Sequence, residues 1–332
     1  MSRLKGFATL AAVTFFVLAL VILGGALTSS QQVLLSDRRV QKIASMRADA
    51  WGDVSRILTL LKTTWNADDQ TFDQWQSAES KKFPAGTELI SLSARLNLNS
   101  ISPFLLQDSA LINTLFGKTV PEFTGYRSLK GPFAHLGDYK DYFQPAALNQ
   151  IYCVYSTFNV NTADEIMLEK VLAERLGSKS VAATIREALR GYRTNQQVLS
   201  DSDWDIVAGS EKDAIGVLVT TAPELDVNTA SVPVLQAILE DPDLKVSQPD
   251  QKLQILVAGR NTKPWTPQSL ASALNLDKKS LIMQYLGTRT HFIQGIIPEH
   301  EKQFKFVAWV AYSNDSPPDL TIRILKTQWI PS

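Results

Sequence analysis

A short phrase that occurs three times constrains the fold of this chain more than any other feature of the sequence. It reads apolar residue, Asn or Asp, apolar residue, Asn, and then Ser or Thr. The three copies are LNLNS at 96–100, FNVNT at 158–162 and LDVNT at 225–229. The last two copies extend without a gap at an offset of 67 residues, and this alignment continues as far as Arg193 and Arg260. Self-similarity of this length indicates a duplicated unit.

The polar positions of the phrase predict where helices begin. Alternating apolar residues bring an extended segment into the core, and in each copy the seventh residue after the second Asn is leucine, which continues as a helical apolar face. Short polar side chains at such a junction accept hydrogen bonds from the free N–H groups of a helix. We therefore predict structural caps rather than catalytic amides at Asn99, Asn161, Thr162, Asn228 and Thr229.

The N-terminus contains a stretch without charge that is long enough to span a membrane. Residues 7–27 are 21 uncharged residues, and a helix of this length extends for about 30 Å, the thickness of the hydrocarbon core of a bilayer. Arg3 and Lys5 precede the stretch and no acidic residue does, so the positive-inside rule predicts a cytoplasmic N-terminus, with the bulk of the chain across the membrane. A cleaved secretory signal that ends near residues 24–26 is the alternative.

The order of the first residues resembles a prepilin-type signal, because Lys5 and Gly6 come directly before Phe7, which opens the apolar stretch. In such signals a dedicated peptidase cuts after the glycine, methylates the new N-terminal residue and leaves the helix on the mature protein. The resemblance implies processing between Gly6 and Phe7. Most pilin-like subunits have Glu at the fifth mature position, where it pairs with a neighbour's N-terminal amine, and this chain has Ala11 there. Ala11 indicates either a protein of another kind or a subunit with no neighbour above it.

An apolar stripe predicts that the helix continues beyond the membrane. Its members recur at spacings of three, four and seven, and they are Val40, Ile43, Ala50, Val54, Ile57 and Leu61. The stripe packs either against the protein's own globular domain or against a neighbouring subunit, and the sequence leaves both open. The polar segment at 66–69 ends the pattern.

Three segments near the C-terminus are rich in Val, Ile, Phe, Trp and Thr, and we predict that they are antiparallel strands. They are Phe292–Ile297, Phe304–Tyr312 and Leu320–Trp329, and polar loops separate them. With Glu88–Leu98 as a further strand, the sheet is formed by segments on both sides of a helical insertion near residues 100–288. The predicted fold class is α+β.

Composition and motifs argue against several classes of function. Lys plus Arg and Asp plus Glu each total 33, and the zero formal charge argues against a nucleic-acid binder that relies on counterion release. The single cysteine, Cys153, allows neither an internal disulfide nor a zinc site of several cysteines. The Gly117-Lys118-Thr119 segment lacks the earlier glycine of a phosphate loop, because position 112 is Ile. We predict that the chain is not an enzyme and requires no cofactor.

One acidic segment offers weak candidates for a calcium site. Asp201, Asp203 and Asp205 alternate as at the start of an EF-hand loop, but the positions that require Gly and Glu hold Ile206 and Lys212. We interpret the segment as a solvated acidic loop that caps a helix. A calcium site of another kind stays open, and its candidate ligands are Asp201, Asp203, Asp205, Glu211 and Asp213.

The repeated phrase also resembles the start of helix-hairpin-helix units, in which a glycine-containing hairpin offers backbone N–H groups to a DNA phosphate. The third copy has Glu-Asp-Pro-Asp at 240–243 where this hairpin would lie, and both the negative charge and the missing proline N–H disfavour phosphate. The second copy keeps only Gly177. We predict no nucleic-acid partner, and a membrane-tethered protein for DNA uptake is the alternative.

Along nearly its whole length the chain resembles minor pseudopilin K of type II secretion (general secretion pathway protein K). The resemblance rests on the basic leader with Gly6, the membrane helix, Ala11 in place of Glu, and the segments 95–100, 226–235 and 290–292. It implies a pilin-like fold with a long N-terminal transmembrane helix, an antiparallel sheet and a large inserted α-helical domain of the SAM-like or helix-hairpin-helix-like type. The implied domains are a leader (1–6), a transmembrane helix (7–28), a periplasmic helix with the first part of the pilin-like domain (29–99), the insertion (100–288) and the C-terminal strands (289–332).

The same resemblance implies a structural subunit at the tip of the type II secretion pseudopilus, which helps to start pseudopilus assembly and protein export across the outer membrane. One helix would anchor it in the inner membrane, with most of the chain in the periplasm. The implied partners are minor pseudopilins of the I and J types, the prepilin peptidase and the inner-membrane secretion platform. Some members of that family hold calcium in the inserted domain. A minor pilin of a type IV pilus is a further alternative.

Overall fold

The computed structural model describes residues 32, 35–107, 115, 117–195, 198–277, 279–299, 302–313 and 319–331. These residues form an α+β structure that combines a four-stranded antiparallel sheet with many short helices. The predicted leader and membrane helix, with Gly6, Phe7 and Ala11, lie outside the described residues. None of the helices within the described ranges has the length and apolar character needed to cross a membrane.

The secondary-structure elements are numbered here in chain order. The helices are α1 (residues 35–64), α2 (Phe72–Glu79), α3 (Pro103–Gln107), α4 (Val120–Lys130), α5 (Pro145–Ile151), α6 (Glu165–Leu176), α7 (Lys179–Thr194), α8 (Asp201–Ala208), α9 (Lys212–Ile215), α10 (Val232–Leu239), α11 (Pro249–Arg260), α12 (Pro267–Leu274) and α13 (Ile282–Tyr285). The strands are β1 (Glu88–Ser91), β2 (Leu96–Asn97), β3 (Tyr152–Cys153), β4 (Phe158–Asn159), β5 (Val219–Thr220), β6 (Leu225–Asp226), β7 (Leu286–Gly287), β8 (Phe292–Glu299), β9 (Lys302–Tyr312) and β10 (Leu320–Pro331).

Helix α1 confirms the helix predicted from the apolar stripe between Val40 and Leu61. The apolar stripe is not uniform in its exposure: Val40 and Ile43 are exposed, whereas Ala50, Val54, Ile57 and Leu61 are buried. The boundary between the two compact units of the chain falls within this helix, between Ser55 and Arg56. In the second unit the end of α1 lies beside the sheet, because the Trp65 ring is edge-on to Tyr312 with ring centroids 5.8 Å apart.

The sheet has the strand order β1-β8-β9-β10, and every neighbouring pair is antiparallel. Its three C-terminal strands confirm the predicted strands. In the register Phe292 lies opposite Trp309, which in turn lies opposite Arg323. The first strand precedes the insertion and the other three follow it, as the sequence predicts.

The predicted strand over Glu88–Leu98 is wrong in its second half. Strand β1 ends at Ser91, and a 3₁₀ turn over Leu92–Ala94 carries the chain away from the sheet. The hydroxyl of Ser93 in this turn accepts hydrogen bonds from the backbone N–H groups of His291 and Phe292, where β8 begins. The chain then enters β2, which pairs with β3 instead of with the sheet.

The insertion consists of three repeats, each closed by a two-residue parallel strand pair. Repeat A (96–153) pairs β2 with β3, repeat B (158–220) pairs β4 with β5, and repeat C (225–287) pairs β6 with β7. Each copy of the sequence phrase forms the first strand of one repeat. Repeat B has a hydrophobic core of its own, whereas repeats A and C share one core.

A smaller apolar cluster joins the sheet to the insertion. It contains Leu92, Cys153, Tyr155, Phe292 and Val307, and the rings of Tyr155 and Phe292 are stacked with centroids 4.0 Å apart. Burial raises the pKa of the Cys153 thiol, so this side chain stays protonated at neutral pH and acts as a packing residue.

Candidate functional site

The first polar residue of each phrase makes a tight turn. Its side-chain oxygen accepts a hydrogen bond from the backbone N–H two residues later, an arrangement that Asn and Asp favour. The pairs are Asn97 with Asn99 (3.2 Å), Asn159 with Asn161 (2.7 Å) and Asp226 with Asn228 (3.0 Å). The turn directs the second Asn of the phrase away from its own strand and into the repeat.

The second Asn clamps a residue more than thirty positions further along the chain. Its Nδ2 donates to the carbonyl of that residue, and its Oδ1 accepts from the N–H of the same residue. The clamped residues are Phe133 for Asn99, Leu199 for Asn161 and Trp265 for Asn228, with distances between 2.7 and 3.2 Å. A side-chain amide has one donor group and one acceptor, and each clamp satisfies both backbone groups of one loop residue.

Each repeat also contains an arginine whose guanidinium donates hydrogen bonds to two backbone carbonyls, one within the phrase and one directly after it. It donates to the carbonyl of the second apolar residue and to the carbonyl three residues later. The donors are Arg127 to Leu98 and Ile101, Arg193 to Val160 and Ala163, and Arg260 to Val227 and Ala230. The alignment of Arg193 with Arg260 in sequence therefore has a structural reason. Arg127 was missed, because it follows Asn99 by four residues fewer than Arg193 follows Asn161.

The prediction that the phrase residues cap helices is wrong for repeats B and C. Asp164 is the N-cap of α6, where its Oδ1 accepts from the Met167 N–H, and Ser231 is the N-cap residue of α10. Thr162 donates to Glu224, and Thr229 donates to the backbone carbonyl of Asp226. Asn99, Asn161 and Asn228 are instead the clamps described above. The types of residue that cap helices are the same types that bind loop backbone, so the sequence pattern does not separate the two roles.

Buried polar pairs join the repeats to one another. Between repeats A and B, Arg127 Nη2 lies 2.7 Å from Asp164 Oδ2, and both side chains are buried. At the junction of repeats B and C, Thr162 Oγ1 lies 2.5 Å from Oε1 of Glu224, the residue directly before repeat C. Burial raises the pKa of Glu224 to about 7, although the Thr162 hydroxyl and Arg193 lower it. Each pair fixes the relative position of two repeats, because an unpaired buried polar group is costly.

A third joint connects repeat C to the sheet. The Thr290 hydroxyl donates to Asp226 Oδ2 at 2.7 Å and also lies 3.0 Å from the Ser91 hydroxyl of β1. Burial raises the pKa of Asp226 to about 6, despite the hydrogen bonds from Thr290, Asn228 and Thr229. The first strand of repeat C is thus linked to both ends of the insertion.

A groove of about 840 Å³ opens beside repeat B and the sheet, and it contains three of the five candidate calcium ligands. Its acidic side has Asp201, Asp205 and Asp213, and its basic side has Arg289 and Arg323. Asp201 accepts a hydrogen bond from Thr221, and Asp205 Oδ2 lies 2.6 Å from Lys212 Nζ. The groove is therefore bordered by charges of both signs.

The predicted acidic loop is wrong, because Asp201, Asp203 and Asp205 lie within helix α8 itself, and their carboxylates do not converge. Asp203 forms a capping box with Ser200 at the start of α8, and Glu211 accepts from Ser210. Residues at alternate positions of a helix point in different directions, so Asp203 does not join Asp201 and Asp205. Within the described part of the chain, no group of three or more His, Cys, Asp or Glu side chains is placed to hold a metal ion.

The chemistry of these residues is structural. The buried joints are hydrogen-bonded pairs within the core, and the His291 ring is hydrogen-bonded to the backbone carbonyl of Val310, with burial lowering the pKa of His291 to about 4.

No model of a known protein family matches the chain, and no curated protein matches it.

Proposed function

We propose that the chain is a structural subunit of a membrane-anchored filament and corresponds to minor pseudopilin K of type II secretion. The observation that carries this proposal is the order of the parts along the chain. An uncharged stretch of membrane-spanning length follows a basic leader with Gly6, and α1 comes next. One sheet then receives β1 from before a helical insertion and three strands from after it. A pilin-like fold with an inserted domain accounts for this order.

The position at the tip of a filament follows from two features of the chain. Ala11 has no carboxylate with which to engage the N-terminal amine of a neighbour. The insertion is also bulky, and its buried joints between Arg127 and Asp164 and between Thr162 and Glu224 hold the repeats as a block. A block of this size would obstruct a subunit stacked above it.

The setting and partners belong to the same proposal. The protein is a single-pass inner-membrane protein with its bulk in the periplasm, and it acts with minor pseudopilins of the I and J types, the prepilin peptidase and the inner-membrane platform. It has no enzymatic activity and requires no cofactor. Calcium binding is a subsidiary proposal that rests on the family resemblance alone, because no three acidic side chains of the described residues are placed together to hold an ion.

The proposal that nucleic acid is not a partner is supported by the hairpins of repeats B and C. In repeat B, Ser178 occupies the start of α7, and its hydroxyl accepts from the Val181 N–H. In repeat C the hairpin contains Asp241 and Asp243, and the Asp241 side chain accepts a hydrogen bond from the backbone N–H of Asp243. Carboxylates at this position repel phosphate. Tight, salt-dependent binding of DNA by the full chain would favour the DNA-uptake alternative.

Restoring the carboxylate at the fifth mature position tests the proposed place in the filament. We expect the wild-type chain at one end of each filament and Ala11→Glu along its length, because the new carboxylate engages the amine of a further subunit. Ala12→Glu is the matched control, since it puts the same charge one position away, and we expect it to stay out of the filament shaft. Even distribution of the wild-type chain along filaments would contradict the proposal.

A further inference from the structure

A small cavity lies between repeat A and the sheet, away from the groove described above. Its volume is about 40 Å³. The wall from the insertion consists of Phe133, Ala134 and residues 154–156, and the wall from the sheet contains Lys305, Val307, Leu325, Lys326 and Gln328. The cavity is therefore lined mainly by apolar side chains, with two lysines on the side of the sheet.

The two lysines project from the same face of adjacent strands. Lys326 of β10 lies opposite Val307 of β9, and Gln328 lies opposite Lys305. Lys305 and Lys326 are thus diagonal neighbours, a spacing over which long side chains reach one another. Burial lowers the pKa of Lys305, and the charge of Lys326 lowers it further.

Neither lysine forms an ion pair with a described residue. Lys326 Nζ donates to the Ala134 carbonyl at 3.0 Å, and no carboxylate oxygen of a described residue lies within 4 Å of either lysine. Burial lowers the pKa of Lys326, and the more distant charge of Asp138 raises it. Arg127 and Arg289, two further basic side chains largely withdrawn from solvent, are instead in contact with Asp164 and Asp68. Two neighbouring, partly buried positive charges with no carboxylate in contact favour the binding of an anion.

The size of the cavity limits which anion fits. A water molecule needs about 10–15 Å³ of such volume, so the cavity has room for about three atoms of that size. A carboxylate group has three heavy atoms, and its two oxygens can each accept from one ammonium group. A larger anion with tetrahedral geometry would need the walls to move.

We propose that Lys305 and Lys326 form a binding site for a single carboxylate group at the junction of repeat A and the sheet. The group is either a small free carboxylate or the acidic side chain of a neighbouring polypeptide. The site does not depend on the proposed function, because carboxylate binding is measured on the isolated chain.

Thermal unfolding of the full chain in detergent tests the site, with sodium formate compared with sodium chloride at equal ionic strength. We expect formate to raise the unfolding midpoint by about 2–4 °C more than chloride does, because a ligand that binds only the folded state stabilises it. In Lys305→Met/Lys326→Met this difference is expected to vanish, and in chloride the variant should be at least as stable as the wild type. Lys302→Met removes an exposed lysine of the same strand and should keep the full response.

A second measurement distinguishes the two sources and does not depend on the variants. Carbodiimide joins lysine to carboxylate in direct contact, and it is applied to intact membranes without added formate, which would itself consume the reagent. A cross-link from Lys305 or Lys326 to another polypeptide identifies an acidic side chain as the ligand, whereas formate binding without such a cross-link identifies a small free carboxylate. Equal midpoints in formate and chloride for the wild type, together with no cross-link from either lysine, would overturn the proposal.

Discussion

Repeats B and C are duplicates in sequence, yet they bury different surfaces. Both have the same turn, the same Asn clamp and the same arginine, so the same backbone groups are hydrogen-bonded in both repeats. Repeat B packs around a core of its own, but repeat C contributes to a core that it shares with repeat A. The repeated polar residues therefore determine the backbone conformation within each repeat, whereas the apolar side chains of each copy determine which neighbour it packs against.

The first helix of each repeat shows the cause of this difference. In α6 (EIMLEKVLAERL) four apolar residues are buried, Ile166 is exposed, and Glu165 and Glu169 pair with Arg190 and Arg186. In α10 (VPVLQAIL) five of eight residues are buried apolar side chains. An amphipathic helix needs cover on one face, whereas a helix that is apolar around most of its circumference needs neighbours on several sides.

The largest expected effect comes from the joint between repeats A and B. Arg127→Met leaves the Asp164 carboxylate buried without its partner, and it also leaves two carbonyls without a donor. We expect a loss of about 3–5 kcal/mol in the free energy of unfolding, measured with denaturant. Arg127→Met/Asp164→Asn should lose clearly less, since no unpaired charge stays buried. Equal losses in the two variants would show that the ion pair does not stabilise the joint.

Aligned leucines in the two cores test the comparison itself. Leu172 of repeat B and Leu239 of repeat C lie at matching positions of the duplication, and both are fully buried. Each change to Ala should cost about 2–5 kcal/mol. Limited proteolysis should then cut Leu172→Ala within repeat B alone, but Leu239→Ala in repeats A and C together, because those two share a core. Identical cleavage patterns would contradict the division into two cores.

The contact between Trp265 and α11 gives a smaller and more local effect. A Cβ at Gly259 would lie 2.0 Å from the Trp265 ring, whose backbone the Asn228 clamp holds in place. Gly259→Ala should therefore destabilise repeat C by about 1–3 kcal/mol. The matched control is Gly191→Ala in α7, which has open space around it and should gain about 0.5–1 kcal/mol from helix propensity. Thermal unfolding of the two variants measures both, and a gain in Gly259→Ala would contradict the packing described.

The last expected effect depends on pH and concerns the joint between repeats B and C. Burial raises the pKa of Glu224 from 4.5 to about 7, so the folded chain holds a proton that the unfolded chain releases. The stabilisation is fully present below pH 4.5 and is lost as the pH rises through 7. Glu224→Gln, which keeps an acceptor for Thr162, should flatten this part of the stability profile. A profile with the same slope in both proteins would exclude Glu224 as its source.

The sequence predicted the sheet strands and the duplication because both depend on local patterns. Strands β8, β9 and β10 follow runs of β-branched and aromatic residues, and the aligned copies around Asn161 and Asn228 have matching spacing. The joints could not be predicted in this way. Thr162 and Glu224 are 62 residues apart in sequence, and they meet only because the repeats stack.

The most direct test of the proposed function is the N-terminal mass of the mature chain, from cells with and without prepilin peptidase. We predict a chain that begins at Phe7 with a methylated amine and retains residues 7–27, and an unprocessed chain where the peptidase is missing. A mature chain that begins near Ala26 or later would contradict the proposal, because the anchor needed for a place in the filament would have been removed.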